Sequence, residues 1–269
     1  MIRFFDGGMG SMLNLAAGEL PEKLNISEPE RVFAVHKGYA DAGAEFITAN
    51  TFGANSLKYD NVDELVKAGV ALAKKAGKYV ALDIGPTGKL LKPMGDLEFE
   101  RAVELFAEVV RAGKDGSDVA IIETMSDMYE LKAAVIAVKE NSDLPIITSM
   151  IFDESGRLLT GGDVKSAVAM LEGLRVDAIG FNCGLGPKQM IPLVKELREC
   201  TSLPILVMPN AGLPESVDGK TVYNVSPEEF AQDMREIAKL GVSILGGCCG
   251  TTPKPVSYTH LTLPTILTV

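Results

Sequence analysis

The sequence of 269 residues lacks the features of several common protein classes. Lys and Arg number 26 against 36 Asp and Glu, which gives a net charge of −10. This acidic balance argues against nucleic-acid binding, which depends on Lys and Arg at the phosphates. No apolar run reaches the roughly 18 residues that a membrane span needs, and the N-terminus turns acidic at Asp6, too soon for a signal peptide. We therefore expect a cytoplasmic protein that binds neither nucleic acid nor membrane.

Histidine and cysteine are also scarce, with two and four residues. His36 falls within a predicted helix and His260 lies near the end of the chain, so a metal site that mixes the two residue types is not expected. In a reducing compartment, clustered cysteines are more often metal ligands or catalysts than disulfides. Cys200 ends an amphipathic helix without glycine neighbours, and we expect it to be structural.

What the chain does contain is a regular alternation of apolar strand patterns and helical patterns. The predicted strands are 2–6, 45–49, 79–84, 119–123, 146–151, 178–182, 205–208 and 242–245. The predicted helices are 30–42, 62–76, 97–114, 128–141, 164–174, 188–199 and 227–240. Eight continuous apolar strands, each but the last followed by a helix, predict an α/β fold in which a parallel sheet closes into a (β/α)8 TIM barrel. A doubly wound open sheet is the alternative, although it usually has fewer strands and a phosphate fingerprint after the first.

The barrel pattern stops before the chain does. Residues 256–269 contain no Asp, Glu, Lys or Arg, are rich in β-branched residues and include Pro264, so their helix propensity is poor. We therefore expect residues 1–255 to form the barrel without its eighth helix, which would leave apolar barrel surface exposed. Residues 256–269 resemble translated cloning sequence and are predicted to be a non-native tail.

Three cysteines stand at the ends of predicted strands. Cys248 and Cys249 follow the last strand within GGCCGT (246–251), and Cys183 follows the sixth within GFNCG (180–184). Flanking glycines let the backbone leave the strand pleat, so that adjacent thiols can converge. Three thiols at one end of a barrel are typical of a zinc site with one open position. A redox-active vicinal disulfide and inert packing of unrelated thiols are the alternatives.

The composition of such a site predicts its chemistry. Three thiolates on a zinc dication leave a negatively charged centre, which is a weak Lewis acid toward water but holds another thiol as the reactive thiolate. This favours alkyl transfer to a substrate sulfur over hydrolysis.

Carboxylates also stand at strand ends. Asp6 and Glu123, at the ends of strands one and four, are candidates for binding a substrate ammonium, and helix capping is the alternative. The glycine-rich loops 7–10 and 246–250 match no complete phosphate fingerprint. A phosphate-binding, aldolase-like barrel would want a lysine at a strand end, and none stands there.

Ten stretches spread over residues 6–253 resemble the homocysteine S-methyltransferase family, above all the homocysteine-binding barrels of cobalamin-dependent methionine synthases. They are DGGMGS (6–11), PEKLN (21–25), TANTFGAN (48–55), DIGPTG (83–88), ETMSD (123–127), FDESGRLLTGGD (152–163), GFNCGLGP (180–187), PNAG (209–212) with GKTVY (219–223), and GGCCGTTP (246–253). The paired cysteines with the upstream Asn-Cys-Gly are the most specific of them.

The resemblance implies zinc-dependent methyl transfer to the sulfur of L-homocysteine, giving methionine. It makes Cys183, Cys248 and Cys249 the zinc ligands, with homocysteine held as a zinc thiolate at the fourth position and Asn210 filling that position when substrate is absent. The residues implied to hold the amino-acid end of homocysteine are Asp6, Gly7, Gly8 and Glu123.

The methyl donor implied by the resemblance is methylcobalamin. No folate or cobalamin module follows the barrel and the Asp-x-His-x-x-Gly signature of cobalamin binding is absent, so the donor would arrive on another module or on a corrinoid protein. Betaine and S-methylmethionine, which related barrels use, are alternative donors. A non-catalytic zinc-binding barrel is the alternative from another functional class.

Overall fold

The computed structural model describes residues 2–15, 18–217 and 220–262, in which strands and helices alternate. The strands are β1 (Arg3–Phe4), β2 (Phe46–Thr48), β3 (Tyr79–Ile84), β4 (Val119–Met125), β5 (Ile146–Met150), β6 (Ala178–Asn182), β7 (Ile205–Met208), β8 (Pro214–Val217), β9 (Lys220–Tyr223) and β10 (Ile244–Leu245). The helices are α1 (Met9–Leu13), α2 (Leu24–Ser27), α3 (Pro29–Asp41), α4 (Val62–Lys75), α5 (Phe99–Gly113), α6 (Met128–Asn141), α7 (Val164–Gly173), α8 (Pro187–Cys200), α9 (Pro227–Lys239) and α10 (Pro253–Thr262).

Eight of the strands form one parallel sheet, in the order β1-β10-β7-β6-β5-β4-β3-β2. The two ends of this order also meet, because the N–H of Glu45 donates to the carbonyl of Phe4 at 2.8 Å and Phe5 pairs in parallel with Phe46. The sheet is therefore closed. The predicted (β/α)8 barrel is confirmed, and the open doubly wound sheet is excluded.

A small apolar cluster fills the barrel lumen, separate from the larger core between strands and helices. Its buried members are Phe5, Ala81, Val119, Ile121, Ile147, Ala178, Leu206 and Met208. Because side chains alternate along a strand, residues two positions beyond these also face the lumen. Asp83 follows Ala81 and Glu123 follows Ile121 in this way, so both carboxylates are directed into the mouth of the barrel.

The expectation that the eighth helix is missing is wrong. Pro253 begins α10, which packs against α9 and α3. Burial overrides the poor local propensity: Val256 is 4% and Thr259 3% exposed, and Pro255 falls in the first helical turn, where a missing N–H costs little. The helix crosses the predicted boundary at residue 255. Residues 263–269 lie outside the described residues, and a non-native origin for 256–269 stays a prediction.

The strand and helix patterns missed one feature near the site, the antiparallel hairpin β8–β9. It lies in the long loop after β7, which is rich in glycine and proline. The short helices α1 and α2, between β1 and α3, were not predicted either. Among the described residues, no helix combines the length and apolar character needed to cross a bilayer.

Candidate metal and substrate site

Three thiols converge at the carboxyl end of the barrel. Cys183 follows β6, and Cys248 and Cys249 follow β10; the Sγ atoms of Cys183 and Cys249 lie 3.8 Å apart, and all three sulfurs lie within 4.8 Å of one another. Within the described residues, this is the one group of three metal-ligating side chains that could hold an ion. The predicted convergence is confirmed.

The backbone at the end of β7 holds the two cysteine segments together. The N–H of Cys183 donates to the carbonyl of Met208 at 3.1 Å, and the N–H of Cys248 donates to the carbonyl of Pro209 at 2.9 Å. Cys183 has a left-handed backbone with φ of 58°, which turns its side chain off the strand toward the pair. A non-glycine residue in this region is uncommon and is maintained by its surroundings.

The spacing of the sulfurs fits zinc. Zinc–sulfur bonds of about 2.3 Å in a tetrahedron put ligand sulfurs about 3.8 Å apart, which is the separation of Cys183 from Cys249. All four cysteines are free thiols, so no vicinal disulfide joins Cys248 to Cys249. Cys200 stands apart and packs against the outer core, as predicted.

The thiols differ in how readily they ionise. Hydrogen bonds from Cys183 and Cys248 hold the pKa of Cys249 well below its usual range. Hydrogen bonds to its two neighbours, together with burial, raise the pKa of Cys248. One thiolate is therefore stable alone, whereas full ionisation of the cluster needs a cation among the sulfurs.

Two predicted carboxylates lie at the same end of the barrel. Asp6 is 4% exposed and accepts hydrogen bonds from Thr48, from the backbone N–H at 2.9 Å and from Oγ1 at 2.6 Å. Burial raises the pKa of Asp6 to about 7, although the bonds from Thr48 oppose this. Burial and the charge of Asp6 raise the pKa of Glu123 to about 8.

The capping alternative for these carboxylates is wrong. Asp6 binds the neighbouring strand β2, and the first helix after it has no side-chain cap. Asp127, not Glu123, caps the helix that follows β4.

A third carboxylate, Asp83, was missed as a site residue. It is 5% exposed, and its Oδ1 atom has no hydrogen-bond partner. Burial and the charges of Glu123 and Asp6 raise its pKa well above the usual value. The alternation along β3 could have identified it, since Asp83 has the same phase as the lumen residue Ala81. The ion pairs among the described residues all involve other carboxylates, so the three lack a cationic partner there.

The remaining predicted residues contact the cysteine loop. A side chain on Gly8 would lie 2.6 Å from the carbonyl oxygen of Cys248, and one on Gly7 would lie 2.7 Å from Oγ1 of Thr251. Asn210 is buried, and its Oδ1 accepts a hydrogen bond from the N–H of Cys249 at 3.0 Å. The glycines therefore allow a close approach of two loops, and Asn210 is adjacent to the thiols through the backbone.

Tyr223, on the unpredicted strand β9, was also missed. A side chain on Gly250 would lie 2.4 Å from the Tyr223 ring, so the tyrosine covers the cysteine loop. The nearby hydroxyl of Tyr223 helps to lower the pKa of Cys249. The stretch GKTVY (219–223) contains Tyr223, but its pattern alone does not identify the tyrosine as a site residue.

The two histidines lie away from this site. His36 is fully buried in α3, and His260 in α10 stacks edge-on against Phe4 with ring centroids 4.9 Å apart. The prediction that the metal site uses no histidine therefore agrees with the geometry.

A parallel barrel with a three-thiol cluster at its carboxyl end defines a class, the barrel proteins equipped to bind a metal through cysteine at the catalytic face. Comparison with known families identifies the family within this class. The profile described as homocysteine S-methyltransferase matches residues 3–260, and the chain belongs to this family.

Similar proteins agree with this assignment. Methionine synthases of Mycobacterium leprae and Mycobacterium tuberculosis are each 32% identical to the chain over 92% of its length. The chain spans about a quarter of these relatives, 23% of each. The metallated form of the homocysteine methyltransferase MmuM from Escherichia coli has the same fold, with a TM-score of 0.82 and 22% identity over 97% of this chain and 96% of that one.

Proposed function

We propose that this chain is the methyl-accepting barrel of a homocysteine methyltransferase and converts L-homocysteine to methionine. The observation that carries the proposal is the pairing of a three-thiol cluster with buried carboxylates at one barrel mouth. Homocysteine carries a thiol at one end and an ammonium group at the other, so its two ends match the two halves of the site. Membership of the family and the likeness to methionine synthases support the same reaction.

Cys183, Cys248 and Cys249 are proposed to hold zinc. The 3.8 Å spacing of two of the sulfurs fits this ion, and a related barrel of the same fold is described as metallated. When bound, zinc supplies the positive charge that keeps the substrate sulfur as a thiolate near neutral pH. Asn210, whose amide lies beside Cys249, is proposed to take the open position when substrate is absent.

Asp6 and Glu123 are proposed to bind the ammonium group of homocysteine, with Gly7 and Gly8 alongside. Loss of hydration raises the pKa values of both carboxyls, and repulsion by the charge of Asp6 raises that of Glu123 further. A cation placed between them relieves this repulsion, so the site favours an ammonium group over a neutral one. The backbone at Gly7 and Gly8 packs closely against Cys248 and Thr251, which places this loop beside the thiol cluster.

The reaction itself needs little further chemistry from the chain. Once the thiol proton has been released, the sulfur electron pair forms the new bond to the methyl carbon, while the bond to the donor breaks and leaves its electron pair on the donor. The residues above act by orienting the sulfur for in-line attack.

The proposed donor is methylcobalamin, carried by another module or by a corrinoid protein in the cytoplasm. The identity to methionine synthases supports this donor. Methyl transfer from methylcobalamin, betaine and S-methylmethionine, each supplied as a free compound, would separate the three alternatives.

Zinc K-edge absorption tests the site directly. We expect a shell of three sulfurs and one lighter atom that becomes four sulfurs when L-homocysteine is added. A zinc shell of three sulfurs that does not change when L-homocysteine is added would favour a non-catalytic zinc-binding barrel. A folded protein without affinity for zinc would contradict the proposal.

A further inference from the structure

Asn182 links the thiol cluster to the carboxylates. It is fully buried at the end of β6, directly before Cys183. Its side-chain amide makes four polar contacts. Its Oδ1 atom accepts hydrogen bonds from the N–H of Thr124 at 2.8 Å and from Oγ of Ser149 at 2.8 Å. Its Nδ2 group donates to Oγ1 of Thr124 at 2.7 Å and to Sγ of Cys248 at 3.8 Å.

These contacts fix which way the amide points. The N–H of Thr124 can only donate, so the group that faces it must be the acceptor oxygen of Asn182. The amino group must then face Oγ1 of Thr124 and the sulfur of Cys248. Asn182 therefore presents an N–H donor to one of the three sulfurs and fixes the position of that sulfur.

The other end of the contact network holds an unusual backbone turn. Thr124 has a φ of 60°, a left-handed conformation that a β-branched residue rarely adopts. The pairing of β4 with β5 shifts between Ile122 and Met125, so the strand leaves its regular register at this point. Glu123 lies inside the irregular segment, directly before Thr124. The two hydrogen bonds between Asn182 and Thr124 thus stabilise the turn that directs Glu123 into the barrel mouth.

We propose that Asn182 is a positioning residue that holds the Cys248 sulfur and the turn carrying Glu123 in place together. The inference rests on the proposed function, because it assigns both ends of the network to one substrate. It differs from a purely structural role, in which the amide would only satisfy buried hydrogen bonds. A structural role predicts lost stability without any specific effect on the metal or on amino-group recognition.

Asn182→Asp is the informative variant, because it keeps the size and the acceptor oxygen but removes the donor to Cys248. Ser149→Ala is the matched control, since it deletes one bond to Asn182 and leaves Cys248 and Thr124 untouched. Zinc affinity would be measured by competition with a chelator, and the cobalt-substituted protein would report thiolate ligation through its charge-transfer band. Outer hydrogen-bond partners of metal ligands typically contribute about 10- to 100-fold in affinity.

We expect Asn182→Asp to weaken zinc binding by about 10- to 100-fold and to shift the charge-transfer band, while Ser149→Ala leaves both near the wild type. We also expect Asn182→Asp to weaken binding of L-homocysteine more than binding of 4-mercaptobutanoate, which has the thiol but no amino group. Equal effects of the two variants on zinc, or equal losses for the two thiols, would overturn the inference.

Two measurements keep the inference testable when Asn182→Asp fails to fold. In nitrogen-15-labelled wild-type protein, the side-chain amide protons of Asn182 should shift when zinc is loaded, and unchanged resonances would overturn the contact with sulfur. Thr124→Gly, which removes the Oγ1 atom bonded by Asn182 and lets the backbone leave the left-handed conformation freely, should retain zinc and lose preference for the amino-bearing thiol. Wild-type protein that binds zinc but not homocysteine would contradict the proposed function, while the zinc and amide results would still test Asn182 and Cys248.

Discussion

The sulfur of Cys183 lies 3.8 Å from the sulfur of Cys249, although 66 residues separate them in the chain. The two thiols reach one another because β6 and β10 both flank β7, whose end holds each cysteine backbone by a hydrogen bond. The strand order β10-β7-β6 brings the two thiols together, since these three adjacent parallel strands end on the same side of the sheet. This relationship underlies the first prediction.

Cys183→Ser should abolish zinc retention and methyl transfer. A hydroxyl replaces one of three thiolates, and we expect the loss to be several kcal/mol of the roughly 10–16 kcal/mol that zinc binding contributes in thiolate-rich sites. Metal content after gel filtration and the yield of methionine are the measurements. Cys200→Ser, which alters a thiol packed on the outer core, should keep both. Full activity of Cys183→Ser without zinc would contradict the proposed site.

Asp6 should make the metal-free protein less stable as pH rises. Its pKa is about 7 in the folded protein against an ordinary value near 3.8, so the folded state holds a proton that the unfolded state has released. The contribution of this group to the free energy of unfolding is therefore fully present below about pH 4. It is lost as the pH rises from about 4 to about 7, by on the order of a few kcal/mol. Urea unfolding across this range should show a smaller loss in Asp6→Asn. The exposed Asp153→Asn is the control, and a profile unchanged by Asp6→Asn would refute the assignment.

Asp83→Asn should stabilise the substrate-free protein at pH 8. The change removes an ionisable group whose pKa is raised by burial and by the charges of Glu123 and Asp6, so the folded state no longer bears the cost of that shift. We expect a gain of about 1 kcal/mol, within the range for a buried unsatisfied polar atom, together with weaker homocysteine binding. The midpoint of urea unfolding measures the gain. A loss of stability would mean that the carboxylate has a partner in solution.

His36 should destabilise the protein as the pH falls below neutral, which is the opposite of the pH dependence expected from the buried carboxylates. It is fully buried with neither ring nitrogen hydrogen-bonded, and burial lowers its pKa to about 4. The unfolded state therefore binds the proton first, and stability falls between about pH 6.5 and pH 4 by on the order of 3 kcal/mol. His36→Leu should abolish this fall in thermal or urea unfolding. His260→Gln, in a partly exposed position, serves as the comparison, and equal profiles for both variants would count against the prediction.

Val256→Asp should destabilise the barrel by about 3 kcal/mol, because it buries a charge where α10 packs on the core. The exposed Lys254→Glu should change stability by less than about 0.5 kcal/mol. Thermal unfolding of the two variants is the measurement. If Val256→Asp unfolds like the wild type, residues 256–262 do not cover the barrel in solution.

The strand ends were predictable because their signals are local. Continuous apolar runs followed by glycine, cysteine and carboxylate residues identify where each strand of a parallel barrel stops, and the barrel itself places those ends on one face. Cys183, Cys248 and Asp6 were located in this way. Asp83 could have been located by the same alternation, since it shares the phase of Ala81 along β3.

Other features depend on tertiary contacts that no local pattern contains. Helix α10 forms because Val256 and Thr259 are buried, although its composition disfavours a helix. The left-handed turn at Thr124 is held by Asn182 from two strands away, and a β-branched residue gives no sign of such a turn. The short hairpin β8–β9 lacks the long apolar alternation that identifies a strand.

Pairing of β1 with β10 has a further consequence for how the protein matures. Gly8 is joined to Thr251, and Asp6 to Gly247, by hydrogen bonds between loops that are about 240 residues apart in the chain. The loops after the first and last strands of the barrel therefore form the site together. A ribosome-bound chain cannot assemble this site before Cys249 has emerged from the ribosome. The proposed zinc site is therefore among the last parts of the barrel that can form during synthesis.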